Sequence, residues 1–229
     1  MGGRLFVAAV RAFLRFGHLE GLLARDLSGA ALPITGRRTS TLPQGLDASA
    51  VRALLRACDR RGPVGRRDYA LLLVLVQLGL RAGEAAALTL DDIDWRAGEL
   101  VVHGKGHRVD RLPLPADVGA AIAAYLRHGR PVTERREVFV RVVAPLGPLS
   151  RGGVSFVVRR ASRRAGLPPV GAHRLRHTLA CAMVGAGVPL PAIGGVLRHQ
   201  SLVSTATYAR VDIDALRRLA QPWPVRIER

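Results

Sequence analysis

Apolar residues recur at helical spacing along most of the chain, which predicts a mainly α-helical protein. The first such stretch covers residues 5–24, with an expected break near Gly17. Asp47 has the side chain of a helix N-cap, and the helix that it begins is expected to end near Asp59. Further helices are predicted over residues 67–79, 82–88, 115–127, 150–165, 171–186, 189–197 and 212–220.

The pattern changes near residue 90, where short runs of β-prone residues replace the helical spacing. Residues 92–95 and 99–103 are predicted strands joined by a turn at Ala97-Gly98, and residues 109–114 form a third. The predicted fold class is therefore mainly α with a small three-stranded antiparallel sheet.

A segment rich in Gly, Pro, Ser and Thr separates the first helix from the rest of the chain. Residues 29–46 have this composition, include Arg37 and Arg38, and are typical of a linker. The sequence thus predicts an N-terminal helical segment at 1–28, a linker at 29–46 and a main domain at 47–229.

The 229-residue chain has a formal net charge of +18, and its basic residues are spread over the whole length. A folded domain with so much positive charge is expected to bind a polyanion, and nucleic acid is the expected partner. No apolar run approaches the roughly 18–20 residues that span a bilayer, and the N-terminus lacks the features of a secretory signal. We therefore expect a cytoplasmic protein that does not associate with a membrane.

Lysine is almost absent from this arginine-rich chain. Of the 35 basic residues, Lys105 is the only lysine, and it lies between Gly104 and Gly106 on a predicted turn. An ammonium group can release its proton within a tunable pH range, whereas a guanidinium effectively cannot. Lys105 is therefore a candidate acid or base, the alternative being a solvated turn residue without a chemical role.

A second candidate group lies in the predicted helix 171–186. His173, Arg176 and His177 are spaced so that a helix places them on one face. Burying that face in apolar surroundings would be costly, and we expect an anion or a carboxylate to meet it. A metal site is disfavoured because Arg176 would repel a cation and the glutamate of an HExxH motif is missing.

Three further positions carry weaker evidence when each is considered alone. Arg81 ends an apolar helix, and Glu84 three residues later can hold its guanidinium in a charge-assisted pair. His199 follows an apolar helix, a place where a histidine is usually structural. A lone tyrosine such as Tyr208 is most often an amphipathic residue of a core or an edge.

Together, these stretches occur in an order that resembles the tyrosine recombinase family, which includes Xer-type and phage-integrase-type enzymes. The similarity extends from about residue 47 to residue 220. The matching segments are Gly79-Leu80-Arg81-Ala82-Gly83-Glu84, Gly104-Lys105-Gly106, Arg111-Leu112-Pro113-Leu114, His173-Arg174-Leu175-Arg176-His177-Thr178, Leu197-Arg198-His199 and Ser204-Thr205-Ala206-Thr207-Tyr208. The resemblance implies the DNA breaking-rejoining fold and site-specific recombination of DNA.

The resemblance also implies a role for each matching side chain. Tyr208 is implied to attack DNA and form a 3′-phosphotyrosyl link, with Lys105 as general acid for the leaving 5′-oxygen. Arg81 and Arg176 fit the negative charge that develops on the phosphate oxygens. His173 is implied to be a base or hydrogen-bond partner, and His199 is implied to donate a hydrogen bond to the scissile phosphate. Glu84 and His177 are implied to make supporting contacts. No metal and no nucleotide cofactor is implied.

The chain departs from the family pattern in two respects. Arg198 stands where the family usually has glycine, and it is expected either to add a contact to a DNA phosphate, which we favour, or to distort the turn. Full-length relatives carry a helical core-binding domain of roughly a hundred residues before the catalytic domain, and residues 1–28 resemble only its last helix. Further DNA contacts are expected from Arg37, Arg38, Arg108 and Arg111.

Two alternatives to an active recombinase remain open at the level of the sequence. A noncatalytic DNA-binding remnant of an integrase would keep the fold and the charge, and a nicking-closing topoisomerase would share the chemistry. The helix at 212–220 is expected either to fold back on its own domain or to join protomers in a homo- or heterotetramer on double-stranded DNA. The filled chemical positions favour the active enzyme.

Overall fold

The computed structural model describes residues 2–31, 45–104, 106 and 108–198 of the chain. Several predictions concern residues outside these ranges: Arg37, Arg38, Lys105, His199, Tyr208, most of the linker and the helix at 212–220. The chain divides into two units, Met1–Thr41 and Leu42–Arg229.

The first unit contains helix α1, Gly2–Leu19. This helix continues through Gly17, so the break expected there is wrong, and the chain turns at Gly21 instead. Gly21 has a φ of 73°, a left-handed conformation that glycine adopts without steric cost. Arg11 of α1 contacts the segment that follows this turn, because its Nε donates to the carbonyl oxygen of Ala31 at 2.8 Å.

The second unit is mainly helical, with a small sheet between its helices α4 and α5. The helices are α2 (Ala48–Arg56), α3 (Pro63–Gln77), α4 (Ala82–Ala87), α5 (Ala116–His128), α6 (Arg151–Arg164), α7 (Ala172–Gly185) and α8 (Leu190–Val196). Asp47 caps α2 as predicted, accepting the backbone N–H of Ala50 at 2.7 Å. Helix α3 begins earlier than predicted, because Gly62 and Pro63 supply a favourable N-cap and first position.

Helix α3 forms the centre of the second unit. Its residues Ala70–Leu75 are all buried, as expected for a helix that is apolar on every side and packs against α5, α6 and α7. Near its N-terminus, buried Asp68 accepts from Arg67 at 2.7 Å and from Arg160 at 2.5 Å. Every helix of the described residues is too short or too polar to cross a membrane.

The three predicted strands are present and pair antiparallel in chain order. They are β1 (Ile93–Asp94), β2 (Glu99–His103) and β3 (Val109–Pro113). Leu100 and Val102 of β2 are buried against the helices. Because side chains alternate along a strand, His103 lies on the face opposite Val102, at the end of β2 that leads to Gly104.

Candidate functional site

A pocket of about 650 Å³ lies among α4, α6, α7 and the sheet of the second unit. It brings together Arg81, Glu84, His173 and Arg176, four of the residues that the sequence singled out. The described residues that line it are Arg81, Ala82, Gly83, Glu84, His103, Gly104, Arg108, Asp110, Arg151, Ser155, Ala172, His173, Arg176 and Arg198. Five arginines face two carboxylates in this lining, so the pocket is suited to an anion.

Arg81 directly precedes α4, and Glu84 of that helix holds it in place. The backbone N–H of Arg81 donates to Oε2 of Glu84 at 2.8 Å, and Nη1 of Arg81 donates to Oε1 at 2.5 Å. The charge-assisted pair expected from the sequence is therefore present. The side chain of Arg81 is still 43% exposed, so it can reach a bound ligand.

Glu84 remains a carboxylate although it is buried. Burial opposes its charged form, but the backbone hydrogen bond from Arg81, the charge of Arg198 and the side-chain hydrogen bonds from both arginines outweigh it. The pKa of Glu84 is therefore lowered from its ordinary value. At neutral pH, the ionised carboxylate of Glu84 thus accepts hydrogen bonds from the guanidinium groups of both Arg81 and Arg198.

Arg176 lies in the wall of the pocket on α7 and is buried. Its Nη1 donates to the carbonyl oxygen of Gly79 at 2.5 Å, and its Nη2 donates to the carbonyl oxygen of Leu197. These two partners are backbone carbonyls after α3 and α8, and the anion expected at this face stays a prediction. Gly79 permits the contact, because its φ is +58° and a Cβ there would lie 2.9 Å from Cδ2 of Leu179.

His173 and His177 contact each other along one side of α7. Their Nε2 atoms lie 2.8 Å apart, which requires one ring to donate and the other, neutral ring to accept. Burial lowers the pKa of His173, and the charges of Arg176 and Arg81 lower it further. A neutral imidazole at the edge of an arginine-rich pocket can accept a proton.

Arg198 does not have the exposed position that a contact to DNA would require. Its side chain is 3% exposed, and its Nη2 donates to Oε2 of Glu84 at 2.8 Å. The carboxylate of Glu84 thus neutralises this guanidinium. Its backbone has a φ of 53°, which is rare for a residue with a side chain.

Arg108, directly before β3, and Arg111, within β3, differ in where they lie. Arg108 lines the pocket, and its Nη2 is 3.6 Å from Oδ1 of Asp110. Arg111 is exposed, pairs with Glu99 at 3.0 Å and does not line the pocket. Their expected contacts with DNA remain predictions.

The pocket residues that were not singled out from the sequence include His103, Arg151 and Ser155. Nε2 of His103 lies 2.8 Å from Oδ1 of Asp92, which orients the ring. Arg151 is the first residue of α6, where the helix dipole disfavours a positive charge. An arginine at the predicted start of a helix was the sequence feature that could have marked Arg151 as a candidate contact for an anion.

Comparison with known proteins identifies the family. The pattern of the phage integrase family matches residues 44–214. The chain is 44% identical over 224 residues to the integrase/recombinase y4rA of Sinorhizobium fredii, covering 96% of this chain and 54% of that protein. It is 35% identical over 217 residues to the tyrosine recombinase XerD of Mycobacterium tuberculosis, covering 91% of this chain and 69% of XerD.

A solved structure agrees with this assignment. The XerH site-specific recombinase bound to palindromic difH substrate, a post-cleavage complex, has a TM-score of 0.67 and 25% identity, covering 80% of this chain and 54% of that one. The chain thus spans about half the length of y4rA and of XerH. The predicted fold, mainly helical with three antiparallel strands, is confirmed. The chain belongs to the phage integrase family, whose members include the tyrosine recombinases.

Proposed function

We propose that this chain breaks and rejoins double-stranded DNA at specific sites, one strand at a time, through a phosphotyrosyl intermediate at Tyr208. The observation that carries the proposal is the pocket itself. Arg81, Arg176 and His173 come from two separate parts of the sequence and meet in one positively charged pocket of a phage integrase family member. The XerD and XerH relatives are named as recombinases, and XerH was solved on DNA.

The arginines stabilise the phosphate in the transition state. Attack on a phosphodiester concentrates negative charge on its two nonbridging oxygens, and fixed guanidinium groups lower the energy of that charge. Arg81 is pre-positioned by Glu84 and exposed enough to make the contact. Arg176 adds positive charge from the wall of the pocket while it fixes the backbone after α3 and α8.

Tyr208 is the proposed nucleophile and Lys105 the proposed acid. The phenol, with an ordinary pKa of about 10, loses its proton as its oxygen bonds to phosphorus, and neutral His173 is the proposed acceptor. The bond from phosphorus to the 5′-oxygen breaks, and the ammonium of Lys105 protonates that oxygen. Rejoining reverses each step, so no net bond energy is lost and no nucleotide cofactor is needed.

The residues directly before Lys105 and His199 in the sequence both line the pocket, which supports roles for these two side chains in the reaction. Gly104 lines the pocket directly before Lys105, and Arg198 lines it directly before His199. We propose that His199 donates a hydrogen bond to the scissile phosphate and that His177 supports His173. We further propose that residues 212–220 join protomers in a tetramer on DNA.

A nicked suicide duplex tests the proposed function. After cleavage next to the nick, a short 5′-hydroxyl fragment diffuses away and the covalent protein–DNA adduct accumulates. We expect an adduct that survives SDS with the wild-type chain and none with Tyr208→Phe. Sites of the XerD, XerH and y4rA type form the test panel, and absence of an adduct on all of them would contradict the proposal.

The role of Lys105 is tested separately with a better leaving group. Lys105→Arg keeps the positive charge but cannot readily give up a proton, so we expect slow cleavage of ordinary DNA. A duplex with sulfur in place of the scissile 5′-oxygen does not need protonation of its leaving group, and Lys105→Arg should cleave it at nearly the wild-type rate. Equal defects on both substrates would refute the proton-donor role.

A further inference from the structure

The turn that follows α8 contacts both of the arginines assigned to the phosphate. The carbonyl oxygen of Leu197 accepts from Nη2 of Arg176, and the carbonyl oxygen of Arg198 accepts from Nη2 of Arg81 at 3.1 Å. Two successive carbonyl groups therefore each hold one arginine. Any change in the conformation of this turn would displace both guanidinium groups.

The backbone of Arg198 is in an unusual conformation. Among the described residues, it is the only one other than glycine with a positive φ, at 53°. A side chain disfavours this left-handed conformation, so surrounding contacts must maintain it. The conformation is also what directs the carbonyl oxygen of residue 198 towards Arg81 rather than along a continued helix.

The side chain of Arg198 supplies those contacts. Its Nη2 donates to Glu84 at 2.8 Å, and its Nη1 donates to the carbonyl oxygen of Val196 at 3.2 Å. Glu84 simultaneously binds Arg81, so one buried carboxylate joins the two arginines. The Nε of Arg198 is buried and has no hydrogen-bond partner among the described residues. The hydrogen bonds of this guanidinium within the described part of the chain are therefore those of Nη1 and Nη2, to the turn and to Glu84.

Arg198 also determines the charge of this group of side chains. A pair of Arg81 and Glu84 alone would be neutral, because the carboxylate would cancel the one guanidinium that is exposed to the ligand. With Arg198 sharing Glu84, the three side chains keep one net positive charge. This charge is held at a fixed place in the pocket, where a preorganised charge stabilises a phosphate.

We propose that Arg198 is a positioning residue for DNA strand cleavage: its buried guanidinium fixes Glu84 and the turn, and through them holds Arg81 in place with its positive charge uncancelled. The inference rests on the proposed function, since it assigns Arg198 a role in that reaction. It replaces the direct contact with DNA that the sequence suggested. Arg198 itself need not touch the substrate.

Three substitutions separate the side chain from the backbone. Arg198→Gly removes the guanidinium and relieves the left-handed strain, Arg198→Ala removes the guanidinium and keeps the strain, and Arg198→Lys keeps a charge that can reach Glu84. Arg136→Ala is the matched control, because Arg136 is a surface arginine paired with Asp91 outside the pocket lining.

The rate of adduct formation on the nicked duplex is measured at saturating protein, together with the Kd for the uncleaved duplex and the unfolding temperature of each variant. We expect the saturated rate to fall about a hundredfold in both Arg198→Gly and Arg198→Ala, as for other misplaced catalytic groups. The Kd should change less than about threefold, because a buried side chain makes no phosphate contact. The saturated rate of Arg198→Lys should be at least about a tenth of the wild-type rate, and that of Arg136→Ala should equal the wild-type rate.

Three outcomes would overturn the inference, and the rate, the Kd and the unfolding temperature distinguish them. A wild-type rate in Arg198→Gly would show that the backbone turn suffices without the side chain. A raised Kd with an unchanged saturated rate would show a direct contact with DNA. A rate that falls only in proportion to the fraction of folded protein in each variant would show that Arg198 only stabilises the fold. In all three cases the wild-type adduct still forms, whereas its absence would refute the proposed function itself.

Discussion

Replacing Glu84 by glutamine should destabilise the protein far more than loss of an ordinary ion pair. The substitution keeps the size of the side chain and removes its charge. Arg198 would then remain buried, 3% exposed, without the carboxylate that lies 2.8 Å from its Nη2. Arg81 would lose the same partner, but its side chain is 43% exposed, so water can solvate its charge in place of the carboxylate.

The magnitude follows from the burial of Arg198. Removing one partner of a buried ion pair leaves an uncompensated charge, which typically costs about 3–5 kcal/mol. In a protein of this size, 1 kcal/mol corresponds to roughly 2–4 °C, so the unfolding temperature should fall by roughly 6–20 °C. The double variant Glu84→Gln/Arg198→Met should regain much of this loss, because it removes the buried charge as well.

Urea unfolding at neutral pH and constant salt measures these differences. Asp91→Asn is the matched control, because Asp91 pairs with Arg136 and both side chains are exposed. That pair is open to solvent, so its loss should leave the unfolding midpoint almost unchanged. If Glu84→Gln shifts the midpoint no more than Asp91→Asn does, the network around Glu84 is not the buried, charged one described above.

Three further predictions concern stability and pH. Gly79→Ala should destabilise by about 1–3 kcal/mol in urea unfolding, because φ is +58° and the added Cβ would crowd Leu179; an unchanged midpoint would contradict this. Asp68→Asn should destabilise by about 3–5 kcal/mol, yet leave the cleavage rate of folded protein unchanged, because Asp68 is buried outside the pocket lining. The pKa of His173 is lowered, so the unfolded chain binds the proton first and stability should fall as the pH drops below about 6.5; His173→Gln should weaken this dependence in thermal unfolding.

Local rules were enough to predict the elements and one contact of the site. Short runs of β-prone residues and the turns between them located all three strands, and the side chain of Asp47 located the start of α2. Arg81 and Glu84 are three residues apart at the start of α4, so their pair also follows from local spacing. Helix spacing similarly predicted that His173 and His177 share a side of α7.

Some contacts of the site could not be predicted because they join distant segments. Nothing in the spacing of α7 shows that the turns after α3 and α8 direct carbonyl groups towards Arg176, so these two hydrogen bonds were not predicted. The break expected at Gly17 was wrong, since a glycine within a helix costs only about 1 kcal/mol and does not by itself end the helix.

Arg198 shows most clearly why a substitution in a motif cannot be interpreted from the motif alone. An arginine after an apolar helix is expected to be exposed, and in a DNA-binding protein an exposed arginine is expected to bind phosphate. Glu84, 114 residues away in the chain, reverses this expectation by supplying a buried carboxylate. The same guanidinium then stabilises the left-handed turn that its own side chain disfavours. Its contribution to the site is therefore set by an ion pair across the fold.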